Sequence, residues 1–269
     1  MIEELYYHDA ISPNFTAATV GVSKYKWIAV EEVDIDKNEY QQRMQENKFN
    51  VLPIVASDEN TYEYFRTVSY NDYSTVTRKK IEYADTIPLD ISIKELIFKF
   101  SFTKRTFFFL TLNGKVSGLV SLSNLNSRSA QIYIFSLICE LERALGEYIL
   151  KEIPEGQILE YIKQKAVENE QFQDILDVYK ELKEQDLEDN ITEHLYLRNF
   201  FEIITKYGLS EKLGYGSKDW KSLYSINELR NRVAHPTRSL ISEDQPIDKL
   251  QSRLERVDDL LFRLKHQQD

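Results

Sequence analysis

Apolar and polar positions follow two different rhythms along this chain, and the change falls near residue 128. In the first half the pattern is that of short strands mixed with short helices. The clearest piece is TFFFLTLNGKVSGLVSLSNL, residues 106–125. Thr106–Leu112 and Lys115–Ser121 are β-rich runs joined by Asn113-Gly114, a dipeptide suited to a type I′ hairpin turn. Just before it, DISIKELIFKF (90–100) sets Ile93, Leu96, Ile97 and Phe100 at helical spacing, with Asp90 or Ser92 as cap. An earlier stretch, EYQQRMQENKFNVLPIV (39–55), is a fainter copy: a helix, then the strand-like NVLPIV. Two copies about 50 residues apart predict an internal repeat.

From about residue 130 helical periodicity takes over. Residues 134, 138, 141, 145 and 149 of IYIFSLICELERALGEYIL are all Ile or Leu and share one face. A long charged helical stretch is expected from Glu155 to about Leu187, and LYLRNFFEIITKYG (195–208) stops at Gly208. In IDKLQSRLERVDDLLFRL, Ile247, Leu250, Leu254, Val257, Leu261 and Leu264 recur at three- and four-residue steps, the mark of a helix packed on another helix. The expected architecture is α+β over 1–128 and an all-α bundle over 129–269, with a soft boundary between them.

Composition narrows the class. Of 269 residues 42% are apolar and 29% charged, as in ordinary globular domains. No apolar run approaches the roughly 18–20 residues a membrane span needs, and MIEELYYHDA lacks the pattern of a signal peptide, so a cytoplasmic protein is expected. The single cysteine, Cys139, excludes an intramolecular disulfide and a cysteine-type zinc cage; its apolar surroundings, IFSLICEL, predict a buried core residue. His8, His194 and His266 are scattered, which speaks against a histidine metal site. No phosphate-binding P-loop and no dinucleotide-binding glycine pattern occurs. The tyrosines of VSYNDYS (68–74) are expected to pack at strand edges.

Net charge is −10, split as −2 over residues 1–128 and −8 over the rest, which disfavours broad nucleic-acid binding. Against that acidity one segment stands out: LRNRVAHPTRSL (229–240) gathers Arg230, Arg232, Arg238 and His235, one of only four histidines. Ser225 and Glu228 fit a reciprocal capping box, so a helix is expected to start at Ile226. Pro236 should bend or end it. Arg230 and His235 are five apart, about 140° of rotation and roughly 7.5 Å of rise on a straight helix. A single straight helix would therefore not aim both at one small group; a bend, the arginine's reach or a second chain would. A guanidinium grips phosphate oxygens in bidentate fashion, and an imidazole moves a proton near neutral pH. Together they suffice, without metal, for RNA cleavage by its own 2′-hydroxyl. From residue types alone, a surface helix with a capping histidine and solvated arginines is the favoured reading.

The string Arg230-Asn231-Arg232-Val233-Ala234-His235 resembles the Arg-x4-His motif of the HEPN superfamily, down to the polar residue after the Arg. The following Pro236, the approach ELRN and the helix LICELERALGEYI, with an acid at Glu140 or Glu142, are also similar to that family. The resemblance covers about 140 residues. It implies a metal-independent endoribonuclease that dimerises to bring two motifs into one cleft, with a 2′,3′-cyclic phosphate and a 5′-hydroxyl as product ends. Arg230 would bind the scissile phosphate, His235 would transfer a proton or hold the phosphate, and Asn231 would position the pair. Arg232 and Arg238 would contact the RNA backbone or remain surface charges. No catalytic cofactor or metal is implied. A role in growth arrest or phage defence, with an antitoxin partner, would fit such an enzyme.

The first half resembles a pair of CBS modules, βαββα repeats that bind adenine nucleotides between them. The resemblance rests on NVLPIV and on residues 87–126, where GLVSLSNL (118–125) is similar to the family's ligand string. Ser121 would stand at the phosphate-contacting hydroxyl and Asn124 where that string has an Asp for the ribose. Lys104 and Arg105 would reach a ligand's phosphates or serve as loop charges. YEYFRTVSYNDYS (62–74) lacks the expected glycine, so one ordinary site at most is implied. CBS pairs also dimerise, and a nucleotide preferring one arrangement would shift the two HEPN motifs together or apart.

The leading expectation is therefore a nucleotide-regulated, homodimeric endoribonuclease acting on RNA. The rival is a non-catalytic nucleotide sensor or interaction protein whose bundle only dimerises or docks a partner. RNA binding without turnover is disfavoured by the acidic bundle.

Overall fold

A computed structural model of the chain describes residues 15–37, 39–69, 72–187, 190–235 and 237–266. His8 and Pro236 lie outside them. The chain divides into two units, Met1–Ala130 and Gln131–Asp269. The first is α/β with two sheets; the second is helical.

The first unit is built twice on one plan. β2 (Val30–Glu31) runs parallel to β3 (Val51–Val55), with α2 (Glu39–Asn47) between them, and β4 (Thr61–Ser69) returns antiparallel to β3. β6 (Thr86–Pro88) likewise runs parallel to β7 (Phe107–Leu112), with α3 (Ile93–Thr103) between them, and β8 (Lys115–Ser121) returns antiparallel. Helix starts at 39 and 93 and strand starts at 51 and 107 set the repeat at 54 to 56 residues. A fourth strand completes each sheet differently. β5 (Asp72–Lys80) follows β4 in the chain, whereas β1 (Val22–Ser23), after the short α1 (Ala17–Val20), comes from ahead of both repeats to pair with β8. Gly118 permits that pairing: a Cβ there would lie 2.6 Å from the Val22 carbonyl oxygen.

Local chemistry accounts for these elements. Ser92 Oγ accepts from the Glu95 N–H while the Glu95 carboxylate takes the Ser92 N–H, a reciprocal cap that starts α3. Ile93, Leu96, Ile97 and Phe100 are fully buried beneath it. Asn113 and Gly114 both have positive φ (51° and 75°), the geometry of the expected I′ turn. Tyr64 of β4 meets Phe107 and Phe109 of β7 edge-on, at 5.5 and 5.2 Å, so the two repeats share one aromatic core. Tyr73 packs against the other cluster, around Met44 and Phe65.

The helical unit starts with α4 (Arg128–Glu152), whose Ile134, Ile138, Leu141, Leu145 and Ile149 are buried as their spacing predicts. The charged stretch after it is two helices, α5 (Glu155–Ala166) and α6 (Glu170–Glu184), not one. Asn169 breaks the run: its side chain caps α6 by accepting from the Gln171 N–H, and Phe172 then packs edge-on against Tyr161. α7 (Leu197–Lys206) ends just before Gly208, which takes φ +66°. The short α8 (Leu209–Lys212) and α9 (Ser217–Leu223) follow, then α10 (Ile226–Val233) and α11 (Ile247–His266). Phe201 and Trp220 meet at 5.3 Å in the core, and the Trp220 indole donates to Thr205 Oγ1. No described helix is long and apolar enough to cross a membrane.

Candidate functional site

α10 buries Ile226, Leu229 and Val233 on one face and so turns Arg230 and Asn231 away from the core. It begins at Ile226, but the expected capping box is absent. Ser225 has helical φ and ψ (−64° and −17°), which leaves its side chain off the N-terminal amides, and no cap bond forms. Ser225 Oγ instead donates to the Ser222 carbonyl and accepts from Arg256. Glu228 pairs with the buried Arg253 of α11, whose other nitrogen donates to Gln245. A tertiary ion pair has taken the residue that the local motif would have used.

Arg230 is held by two groups of the second unit. Its Nε lies 3.5 Å from Glu142 Oε1 on α4, and its guanidinium carbon stands 5.4 Å from the ring centre of Tyr196. The terminal nitrogens of Arg230 make no side-chain hydrogen bond to a further group among the described residues. Glu142 is one of the two acids the sequence left open, and it is largely buried. Its Oε1 also accepts the Leu197 N–H at 3.2 Å, at the start of α7. Burial pushes its carboxyl up, and Arg230 and the Leu197 amide pull against that shift. Glu140 pairs with Arg143.

Cys139 corrects the expectation of a buried residue: it is exposed. Ile138 faces the core, and the next position is turned about 100° away. Partial desolvation and the nearby Glu142 push the thiol up, against the pull of Arg230, so a reactive thiolate is not favoured.

α10 ends at Val233, with Ala234 as its C-cap, and His235 lies exposed just past that end. Its N–H donates to the Arg232 carbonyl, and its own carbonyl accepts from the Arg238 N–H. The segment after it is pinned at several points. Gln131 of α4 donates to the Arg238 carbonyl, while Arg232 donates to the Ser239 carbonyl and Ser242 Oγ and pairs with Asp244. Arg232 is thus a clamp on its own loop, whereas the Arg238 side chain and Asn231 are exposed. His194 sits edge-on to Tyr179, and His266 stacks on Phe262.

In the first unit Ser121 and Asn124 come together on a cavity of 670 Å³. The Asn124 side-chain oxygen accepts from both the N–H and the Oγ of Ser121, at 2.7 and 2.9 Å, and Ser123 Oγ is 2.7 Å from Ser121 Oγ. Neither Lys104 nor Arg105 lines this cavity. Lys104 caps α3 in the left-handed region, and Arg105 pairs with the buried Asp85. Lys26 and Lys48 line it in their place, beside Trp27, Phe49 and Phe107, and no acid is among its walls in the described residues. Sequence reading missed these residues because they come from connections either side of β2 and α2 that carry no motif. A second cavity, of 700 Å³, has mixed walls: Glu32, Glu63 and Glu82 with Lys80 and Lys115. Among the described residues no group of three or more His, Cys, Asp or Glu could hold a metal ion.

No family model matches the chain, and no curated protein matches it. Solved structures similar to parts of it include Hypoxic Response Protein I, a structure with two coordinated zinc ions. That alignment has 14% identity, 41% coverage of this chain, 95% of that one and a TM-score of 0.29. An uncharacterised conserved protein from Pyrococcus horikoshii gives 17% identity, 42% and 90% coverage and a TM-score of 0.30. Neither likeness bears on the sites described above.

Proposed function

We propose that this chain is a homodimeric, metal-independent endoribonuclease of HEPN type, regulated by an adenine nucleotide bound to a CBS-like first half. One observation carries the catalytic reading. Arg230 is tied down through Nε by a largely buried carboxylate, which leaves its two terminal amino groups free to grip a phosphate. In the proposed step the ribose 2′-oxygen attacks phosphorus as the P–O5′ bond breaks. The 2′-hydroxyl loses its proton and the leaving 5′-oxygen gains one. His235, exposed beyond the helix end, serves one of these transfers, and His235 of a second copy serves the other. Asn231 positions the phosphate. The acidity of the second half keeps RNA contact local to this segment. Arg232, held by its loop, supports His235 and is not assigned to RNA.

The test is product chemistry. Full-length protein should cut RNA to fragments with 2′,3′-cyclic phosphate and 5′-hydroxyl ends. Arg230→Ala should lower the rate by about 100-fold or more while the melting temperature stays close to wild type. As the chain's only cysteine, Cys139 reports the dimer: an oxidative cross-link can form only between copies.

A second reading, the non-catalytic sensor, is favoured by one feature. The described residues that line the cavity all belong to the first unit and include no acid, so it needs nothing from α10 to bind an anion. It predicts nucleotide binding without RNA cleavage.

A further inference from the structure

We infer that Tyr196 is the platform on which a nucleobase next to the scissile phosphate stacks, which makes it a residue that sets base preference. This rests on the reading of Arg230 as the phosphate-binding group. The Tyr196 ring lies 5.4 Å from the guanidinium carbon of Arg230, yet the residue remains 44% exposed. One side of the ring faces the cation, and part of the residue meets solvent. Its hydroxyl has no hydrogen-bond partner among the described residues.

The backbone that carries the ring is also anchored. The Tyr196 N–H donates to Asn199 Oδ1 at 2.9 Å, and Asn199 is only 1% exposed. The next amide, Leu197 N–H, donates to Glu142 Oε1, the same oxygen that faces Arg230 Nε. One carboxylate thus sets both the phosphate-gripping fork and the aromatic beside it. A phosphate and its base are joined through a single ribose, so a nucleotide held by the fork brings its base to the ring. Stacking on an aromatic suits any base and is strongest for purines, whose π-face is larger. An aromatic on an anchored backbone costs little ordering when a base arrives.

The experiment uses the full chain and fluorescent 12-mers of 2′-fluoro-substituted A, C, G or U, which lack the attacking hydroxyl. Binding is measured for wild type and for Tyr196→Phe, Tyr196→Leu and Tyr196→Ala. Phe keeps the ring and Leu keeps apolar cover over Arg230 without a π-face, so a purely structural role would leave Leu close to wild type. Expected are Phe within about twofold of wild type, and Leu and Ala weaker by about tenfold, more for A and G than for C and U. The matching cleavage maps on ordinary RNA should show the cut sites shifting in Leu and Ala but not in Phe.

Equal binding and identical cut sites for wild type and Leu would overturn the inference while leaving the nuclease intact. Ring-dependent binding without any cleavage by wild type would uphold the platform and sink the nuclease reading. Absence of both binding and cleavage in wild type would remove both.

Discussion

Lysines of the N-terminal cavity and arginines of the 228–263 region meet opposite surroundings. Among the described residues, Lys26 and Lys48 line a space with no acid on its walls, and neither makes an ion pair. Arg230, Arg232 and Arg253 each face a carboxylate, from Glu142, Asp244 and Glu228. An unpaired lysine over a cavity attracts an anion by charge alone and is screened by salt. A paired arginine is aimed: its geometry is set by its partner, and only the nitrogens left over can meet a ligand. The first arrangement suits a site that fills and empties, the second a site whose groups must stand in fixed register.

The largest effect is expected from breaking the aimed set at its base. Arg253 is 2% exposed and ties Glu228 of α10 to the buried Gln245. Arg253→Ala would leave Gln245 Oε1 buried without its donor and should cost about 3 kcal/mol of unfolding free energy in a denaturant titration. Arg253→Met, which restores bulk without charge, should lose less. Equal loss in both variants would mean that packing, not the polar anchor, holds α10.

A smaller effect should come from the open set. In a Trp220→Phe background Trp27 is the only indole left, and it lies on the cavity wall. Its fluorescence should change as adenine nucleotide is added. Lys26→Ala and Lys48→Ala should each weaken that binding by about tenfold, and added salt should mimic them. Lys104→Ala should change nothing, since Lys104 does not line the cavity. A loss confined to Lys104→Ala would reassign the site.

The smallest effect distinguishes the two environments by pH. Burial raises the Glu142 carboxyl, so the folded chain holds that proton to higher pH than the unfolded chain does. The stability this supplies is present below the unfolded carboxylate value of about 4.3 and is lost as pH rises through the raised value. Glu142→Gln carries no such proton, so its melting temperature should gain on wild type as pH climbs from about 4 to about 7. An unchanged difference across that range would show that Arg230 cancels the burial.

Much of the fold was legible where one short stretch decides it. Ser92 and Glu95 sit three apart and cap α3, Asn113-Gly114 turns the hairpin, and five apolar positions of α4 share a face. What escaped was decided at a distance. Ser225 and Glu228 have the same spacing as the α3 cap, but Arg253, 25 residues on, claims Glu228. Cys139 sits in an apolar string, yet its helical phase points it outward. Arg230 and His235 stood out as a spacing, whereas Tyr196 joins Arg230 only because α7 and α10 meet on α4, and no local pattern announces that. Lys26 and Lys48 come from separate segments that the repeat folds onto one cavity.

The most direct test of the account is cleavage of a mixed RNA pool in EDTA by wild type and by His235→Ala, each with and without adenine nucleotides. The account predicts that wild type cuts in EDTA, that His235→Ala falls by about 100-fold or more, and that a nucleotide changes the wild-type rate. Cleavage that vanishes in EDTA, or that His235→Ala retains in full, would contradict it.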